Sequence, residues 1–389
     1  MKRLGVIPTD PINHYINTGY SENWLKGYFN PAQYFDEIYV FSPRETDCPD
    51  LLGMKVFKTK PGELMGRMRE FKIDILRAYG GMWPCSMACE NKVPGIPVIV
   101  SIHDTRPDIF YDAVKRADIV FCAQQLKDFV MTKFKNADRL WILPNGINFT
   151  VMRPHSREEA ADLRTRYGLH TKYKILQVGR RHRQKNLETL IRALKILGDD
   201  YSLLTSGKGD ADEYKRLAEA EGVSSRIVFV ESIKNEEMPL HFAWVDCLCH
   251  PTRWEGMSLL IVEALASEAI VVTSDIPEMN GLVNHMHNGL LVKEYENPQA
   301  LADMIRLACT KEEVRKTLKQ NARKSVEQFE ESKIRKLEAS YYERILQMKK
   351  TESFKTPVWK ELSWDIEQGL KKSVPRPVKE YIKSRLKKR

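Results

Sequence analysis

Residues 253–264 read RWEGMSLLIVEA. Two glutamates, Glu255 and Glu263, stand eight residues apart, and between them runs the apolar series Leu259, Leu260, Ile261 and Val262. Such a run belongs in a core, yet an acid stands at each end. The residues before it, VDCLCHP at 245–251, read as a buried strand. The segment is therefore strand, turn and helix, with TRWEG as the turn and the helix starting near Met257 or Ser258. In open parallel sheets, ligands bind beyond the carboxyl ends of strands, where helix N-termini point. The first N–H groups of such a helix lack partners within it and its dipole favours an anion, so a phosphate fits there. Gly256 lets the backbone approach a ligand closely. Glu255 can reach a polar group beside that phosphate, while Glu263 lies roughly 12 Å further along the helix. The two acids cannot work as a close acid/base pair. They can hold opposite ends of one long ligand, with Leu260, Ile261 and Val262 packing the helix on its sheet. A helix with two surface acids is the plainer reading, and this stretch alone does not choose between them.

Two other turns bear on the choice. LQVGRRHRQKN at 176–186 is a strand ending at Gly179, followed by Arg180 and, five residues on, Lys185. Two cations at a strand end, on a turn entering a helix, suit a diphosphate; a basic surface turn is the alternative. LLTSGKGD at 203–210 is another strand, ending in a glycine turn that contains Gly207. Asp210–Ala211–Asp212 follows as a DxD, a spacing that can bind a metal. Here it opens a helix, where acids cap free N–H groups and complement the dipole, so no metal site is assigned.

Outward from these turns, strands near 3–7, 37–41, 54–57, 73–77, 97–102, 118–122 and 140–143 occupy the first half of the chain. A second set falls near 173–178, 201–206, 226–230, 246–250 and 269–273. Helical patterns lie between most of them, including 124–135, 186–197, 211–221, 257–266 and 297–309. This alternation predicts an α/β fold with parallel sheets, and there are too many strands for one sheet. Two Rossmann-like domains facing across a cleft are expected, residues 1–148 and 149–330, divided near LPNGINFTVMRP at 143–154. Residues 331–389 form a third, helical part with a basic tail. Ile334, Leu337, Tyr341, Ile345 and Met348 mark one face of a helix there.

Totals exclude several classes. The chain has 389 residues, 42% apolar and 29% charged, which suits a soluble protein with real cores. Seven scattered cysteines without a CxxC argue for a reducing compartment and against a disulfide framework or zinc ribbon. Neither a secretory leader nor a membrane-length apolar run is read, so a cytoplasmic location is expected. The net charge is +10, and residues 351–389 hold eleven Lys/Arg against five Asp/Glu. That tail carries two apolar stripes, Trp359, Leu362, Ile366, Leu370 and then Val378, Tyr381, Ile382, Leu386. One reading packs it back on the N-terminal domain. The other lays it on an anionic membrane surface, making the protein peripheral on the inner face; nucleic acid is not an expected partner. No GxGxxG follows the first strand, which argues against a dehydrogenase.

Taken together, Glu255-x7-Glu263, Gly179-Arg180…Lys185-Asn186, Pro144-Asn145-Gly146, Ser274-Asp275 and Asn288-Gly289-Leu290-Leu291-Val292 resemble the GT-B glycosyltransferases, specifically the retaining family 4 group. The resemblance is strongest from about 140 to 310. It implies transfer of a sugar from a nucleotide diphosphate-sugar to a glycan, lipid-linked or other hydroxyl acceptor. Arg180 and Lys185 would neutralise the donor diphosphate. Glu263 would accept the ribose hydroxyls. Glu255 would contact the transferred sugar, helped by the backbone of Gly256, Met257, Ser258 and Leu259. His103, in VSIHDTRP, is similar to the family histidine facing that sugar, and Gly19 and Gly207 to donor-loop glycines. The family often has two glycines where Gly19 stands alone, and it has a glutamate where Gly281 stands, with Glu278 three residues early. The resemblance further implies a reaction without metal or other cofactor. A nucleotide-sugar epimerase or a phosphorylase of the same fold, and a non-catalytic membrane-associated scaffold, are the competing expectations.

Overall fold

A computed structural model of the chain describes residues 1–17 and 21–351. Gly19 and the stripes of 358–389 therefore lie outside the described residues. Fourteen strands are present among those described. The first eight are β1 (Arg3–Ile7), β2 (Glu37–Ser42), β3 (Cys48–Leu51), β4 (Met54–Lys58), β5 (Ile75–Tyr79), β6 (Val98–Ile102), β7 (Ile119–Cys122) and β8 (Leu140–Ile142). They form one sheet in the order β3-β4-β2-β1-β5-β6-β7-β8. The other six are β9 (Tyr173–Val178), β10 (Tyr201–Ser206), β11 (Ile227–Val230), β12 (Cys247–His250), β13 (Val271–Ser274) and β14 (Leu290–Val292). Their order is β11-β10-β9-β12-β13-β14, with every pairing parallel. The expected α/β architecture of two Rossmann-like sheets is thus present.

Three differences from expectation have local causes. β3 was not anticipated: it pairs antiparallel with β4 through a tight turn in which Leu52 and Gly53 both have positive φ. Its sequence, CPDL, carries a proline and an acid and lacks β-strand character, so only the hairpin makes it a strand. β5 starts at Ile75 rather than at residue 73, because Lys72 turns the chain at φ 51° and the N–H of Ile73 closes back on Met68. The short β14 is not among the expected strands, yet it pairs along β13.

Each sheet is covered on both faces, which is why its strands are almost wholly apolar. In the first sheet, Ile7, Leu76 and Val100 face Met68, Cys85 and Ala88 on one side. Leu4, Ile75 and Phe121 face Leu25, Phe29, Tyr342 and Ile345 on the other. In the second, Ile175, Leu203 and Cys249 pack against Leu190, Ile191, Leu194 and Ile305. Its other face, through Leu176, Leu204 and Leu248, joins Ile261, Val262 and Leu265.

Helix Glu331–Thr351 leaves the second sheet and packs on the first. The chain crosses between the sheets twice, and the crossings touch. The N–H of Ile147 donates to Phe329 (2.9 Å) and that of Glu331 to Ile147 (2.8 Å). A Cβ at Gly146 would sit 2.8 Å from the Cα of Glu331, so only glycine permits this passage. The buried guanidinium of Arg77 on β5 fixes the helix in place. It pairs with Glu338 and donates to Tyr342 Oη (2.7 Å) and, through Nε, to Ser101 Oγ (3.1 Å).

Candidate functional site

The site lies between the carboxyl ends of the two sheets. The turn after β12 holds Glu255 buried at 8% exposure, and three groups converge on it. Lys185 pairs with Oε1. His250, the last residue of β12, approaches the same oxygen through Nε2 at 2.9 Å. Glu278 lies alongside, near enough to feel the charge on Glu255. Burial opposes charge on Glu255, but the hydrogen bond from His250 and the Lys185 ammonium outweigh it and draw its pKa down to about 2. Glu255 is therefore a carboxylate at neutral pH. Burial and the neighbouring ammonium lower the pKa of His250, so this imidazole is neutral and donates through Nε2. Glu278 shifts upward, first through burial and also through the charge on Glu255.

The turn after β9 and the turn after β12 are built as one unit. The N–H of Arg253 donates to the Gln184 carbonyl (2.8 Å), and Gln184 Nε2 donates to the Trp254 carbonyl (2.7 Å). Asn186 adopts a left-handed conformation at φ 54°, a region asparagine tolerates, and its buried amide donates to the Tyr295 carbonyl (3.0 Å). Gly179 has φ 148°, and a Cβ there would press on the Lys185 stem at 3.0 Å. At Gly207 a Cβ would fall 1.9 Å from the Gly179 carbonyl oxygen, so the GxG turn of β10 serves this close approach. Arg180 is exposed and has no hydrogen-bond or ion-pair partner among the described residues. Its neighbour Arg181 is committed, donating to the carbonyls of Gly207, Gly209 (3.1 Å) and Val230 (2.7 Å).

The helix after the β12 turn spans Leu259–Ala266, starting later than Met257, with Ser258 as an extended N-cap residue whose side chain makes no capping bond. Its first N–H groups are thus not taken by a cap. Met257, Ser258, Ile261 and Val262 are buried, whereas Leu259 and Leu260 are half-buried against the core. Glu263 keeps part of its surface open, yet the surrounding protein desolvates its carboxyl and raises its pKa to about 7, opposed by a hydrogen bond from Asn235 Nδ2 (3.2 Å). Asp210 accepts the N–H of Asp212 (2.9 Å), the first residue of helix Asp212–Ala220, whose cap residue Ala211 makes no side-chain bond.

The first sheet supplies the opposite wall. His103 follows β6, and its carbonyl oxygen would lie 2.3 Å from a Cβ at Gly256. Thr105 Oγ1 donates to the Glu255 carbonyl (3.3 Å), and Gln125 Nε2 donates to that of Asn280 (3.2 Å). His103 Nε2 is buried without a partner among the described residues, and burial and then Arg77 lower its pKa to about 4. The structure therefore gathers Lys185, Glu255, Gly256 and the backbone carbonyl of His103, whereas among the described residues Arg180 and Glu263 show no direct bond to that cluster. His250 and Glu278 were missed as site residues. The signal for His250 was its place at the carboxyl end of a strand.

Residues 161–325 match the family model "Glycosyl transferases group 1". Over that segment the chain is similar to the group 1 glycosyltransferases. The chain is 25% identical over 337 residues to an uncharacterized glycosyltransferase of Methanocaldococcus jannaschii, covering 80% of this chain and 86% of that one. It is 26% identical over 209 residues to the lipopolysaccharide glucosyltransferase WaaG of Escherichia coli, covering 51% and 54%. Among solved structures, Anabaena HepE in complex with UDP superposes with TM-score 0.73 at 18% identity, over 88% of this chain and 100% of that chain. Sucrose-phosphate synthase from Thermosynechococcus elongatus gives 0.71 at 16% identity, over 89% and 100%. The chain thus shares the two-domain GT-B fold with these structures. Among the described residues, no helix is long and apolar enough to cross a membrane.

Proposed function

We propose that the enzyme transfers a sugar from a nucleotide diphosphate-sugar to a hydroxyl acceptor with retention at the anomeric carbon. One observation carries the reading: Lys185 and an ionised Glu255 meet at the start of helix Leu259–Ala266, with His103 across the cleft. The diphosphate lies against Arg180, Lys185 and the free N–H groups of that helix, which stabilise the leaving group as it gains charge. Glu263, further along, takes the ribose hydroxyls. Glu255 accepts hydroxyls of the transferred sugar.

Glu255 is held too acidic to give a proton, and His103 is neutral, so neither serves as a strong acid. The bond between the anomeric carbon and the diphosphate oxygen breaks. The acceptor oxygen bonds to the same carbon on the same face, and its proton passes to the departing diphosphate. The cations need no metal to assist them. The structural neighbour HepE was solved with UDP and with UDP-glucose, which makes uridine nucleotides the first donors to test. The acceptor is a glycan or lipid-linked hydroxyl entering from the first domain, and the basic tail holds the enzyme at an anionic membrane surface where such an acceptor resides.

The test is a panel of UDP-glucose, UDP-galactose, UDP-N-acetylglucosamine and GDP-mannose, measured for binding and then for release of nucleoside diphosphate. One member should bind and be turned over, faster when a hydroxyl acceptor is added. An epimerase would interconvert the sugar without releasing nucleotide, and that result would remove the reading.

A further inference from the structure

We propose that His250 is the positioning residue of the reaction: it holds Oε1 of Glu255 in place when the donor draws Lys185 away. This rests on the reading of Glu255 as the residue facing the transferred sugar.

His250 is fixed more firmly than any other partner of Glu255. It sits in β12, in register with Thr273 of β13, and its carbonyl accepts from Thr273 Oγ1 (2.8 Å). It is 1% exposed. Its ring makes one hydrogen bond among the described residues, that to Glu255, since Nδ1 is buried without a partner. An imidazole buried for packing alone would leave a polar atom unpaired for no gain, where an aliphatic residue would serve better. The single directed bond is what sets this ring apart from a core filler.

Lys185 shares the same oxygen but differs in kind. It is a cation on a flexible stem laid across Gly179, at the mouth of the turn that also carries Arg180. A diphosphate competes for that ammonium directly. A neutral ring on a central strand cannot follow the phosphate. As Lys185 turns to the donor, His250 keeps Oε1 engaged and leaves Oε2, which has no protein partner among the described residues, for the sugar. One carboxylate is thus held by a movable partner that senses the donor and a fixed partner that sets geometry.

Three variants and Glu255→Gln test this. Glutamine places an amide N–H near the position of Nε2, asparagine places it near Nδ1, and leucine removes it. With the fastest-hydrolysed nucleotide sugar of the panel above, His250→Gln should recover most of the wild-type kcat. His250→Asn and His250→Leu should lose on the order of 10- to 100-fold in kcat, the loss expected when a reacting group is displaced by about an ångström. Donor KM should stay within about threefold, because ground-state donor contacts are kept. In ¹⁵N-histidine spectra the His250 signal should be the neutral tautomer with the proton on Nε2, and it should shift in Glu255→Gln. If the leucine variant does not fold, the glutamine–asparagine pair still decides. Equal kcat in those two, or a loss expressed in KM alone, overturns the proposal. A wild-type kcat in Glu255→Gln would instead sink the underlying reading of Glu255, whereas an impaired Glu255→Gln beside a normal His250→Asn sinks only the role of His250.

Discussion

The carbonyl oxygen of His103 and the backbone of Gly256 approach so closely that a Cβ at Gly256 would lie 2.3 Å from that oxygen. The two residues belong to different sheets, so this contact sets how nearly the walls of the cleft meet. Gly256→Ala must push the walls apart or tilt the turn carrying Glu255. We expect kcat to fall on the order of 100-fold with an unchanged thermal midpoint, because misplacement of reacting groups costs rate before it costs stability. A normal kcat would show that the cleft works in a wider setting than this one.

Donor contacts divide by what they touch. Arg180→Ala and Glu263→Ala should weaken donor binding, each raising KM about tenfold or more, since the proposed function sets them against parts of the donor that do not react. Glu255→Gln should chiefly lower kcat. Steady-state kinetics with one donor settles the division, and an unaltered kcat in the Glu255 variant contradicts it.

Glu263 gives the site a pH dependence. Its pKa is raised to about 7 by burial, and ribose hydroxyls bond better to the carboxylate than to the acid. Donor affinity should therefore weaken as pH falls from 8 through about 7, and binding at pH 7 should release protons. Calorimetry in buffers of different ionisation enthalpy measures that release, and Glu263→Gln should abolish it. The same shift bears on stability. A carboxyl with a raised folded-state pKa penalises the fold above its unfolded value of 4.5, most fully above 7. Glu263→Gln should thus raise the thermal midpoint at pH 8 and leave it unchanged at pH 4.

If Arg180 and Lys185 meet the diphosphate as proposed, activity should persist in excess EDTA. Loss of turnover that Mg²⁺ or Mn²⁺ restores would move the diphosphate contact to Asp210 and Asp212.

Arg77→Leu should destabilise the protein by about 3–5 kcal/mol, the range for stranding one member of a buried ion pair. Glu338 would be left buried without its cation, and Tyr342 without its donor. Denaturant unfolding measures the change. A loss of less than 1 kcal/mol would mean that water reaches Glu338.

What the sequence disclosed depended on distance along the chain. Each βα unit writes its strand, turn and helix within some thirty residues, so the architecture and the turns bearing Lys185 and Glu255 could be read directly. The meeting of Lys185 with Glu255 required the β9–β12 neighbour relation, which no local pattern encodes. His250 looked like one more residue of an apolar strand. Glu278 was judged by its offset from a family position, yet the fold brings it beside Glu255. Arg77 was unreadable for a different reason: a charge in a buried strand makes sense only once Glu338 is known to return to it.

That return imposes an order on synthesis. The last strand of the first sheet ends at Ile142, and the helix that completes one of its faces begins at Glu331. About 190 residues must be translated between the two, which takes roughly 10–40 s at ordinary ribosome speeds. During that interval Arg77 has no carboxylate, and Leu4, Ile75 and Phe121 lack Tyr342 and Ile345. The second domain can close while its predecessor waits. A nascent chain stalled after the second sheet but before residue 331 therefore presents a finished second sheet and an unfinished first one, a species for which chaperones would compete.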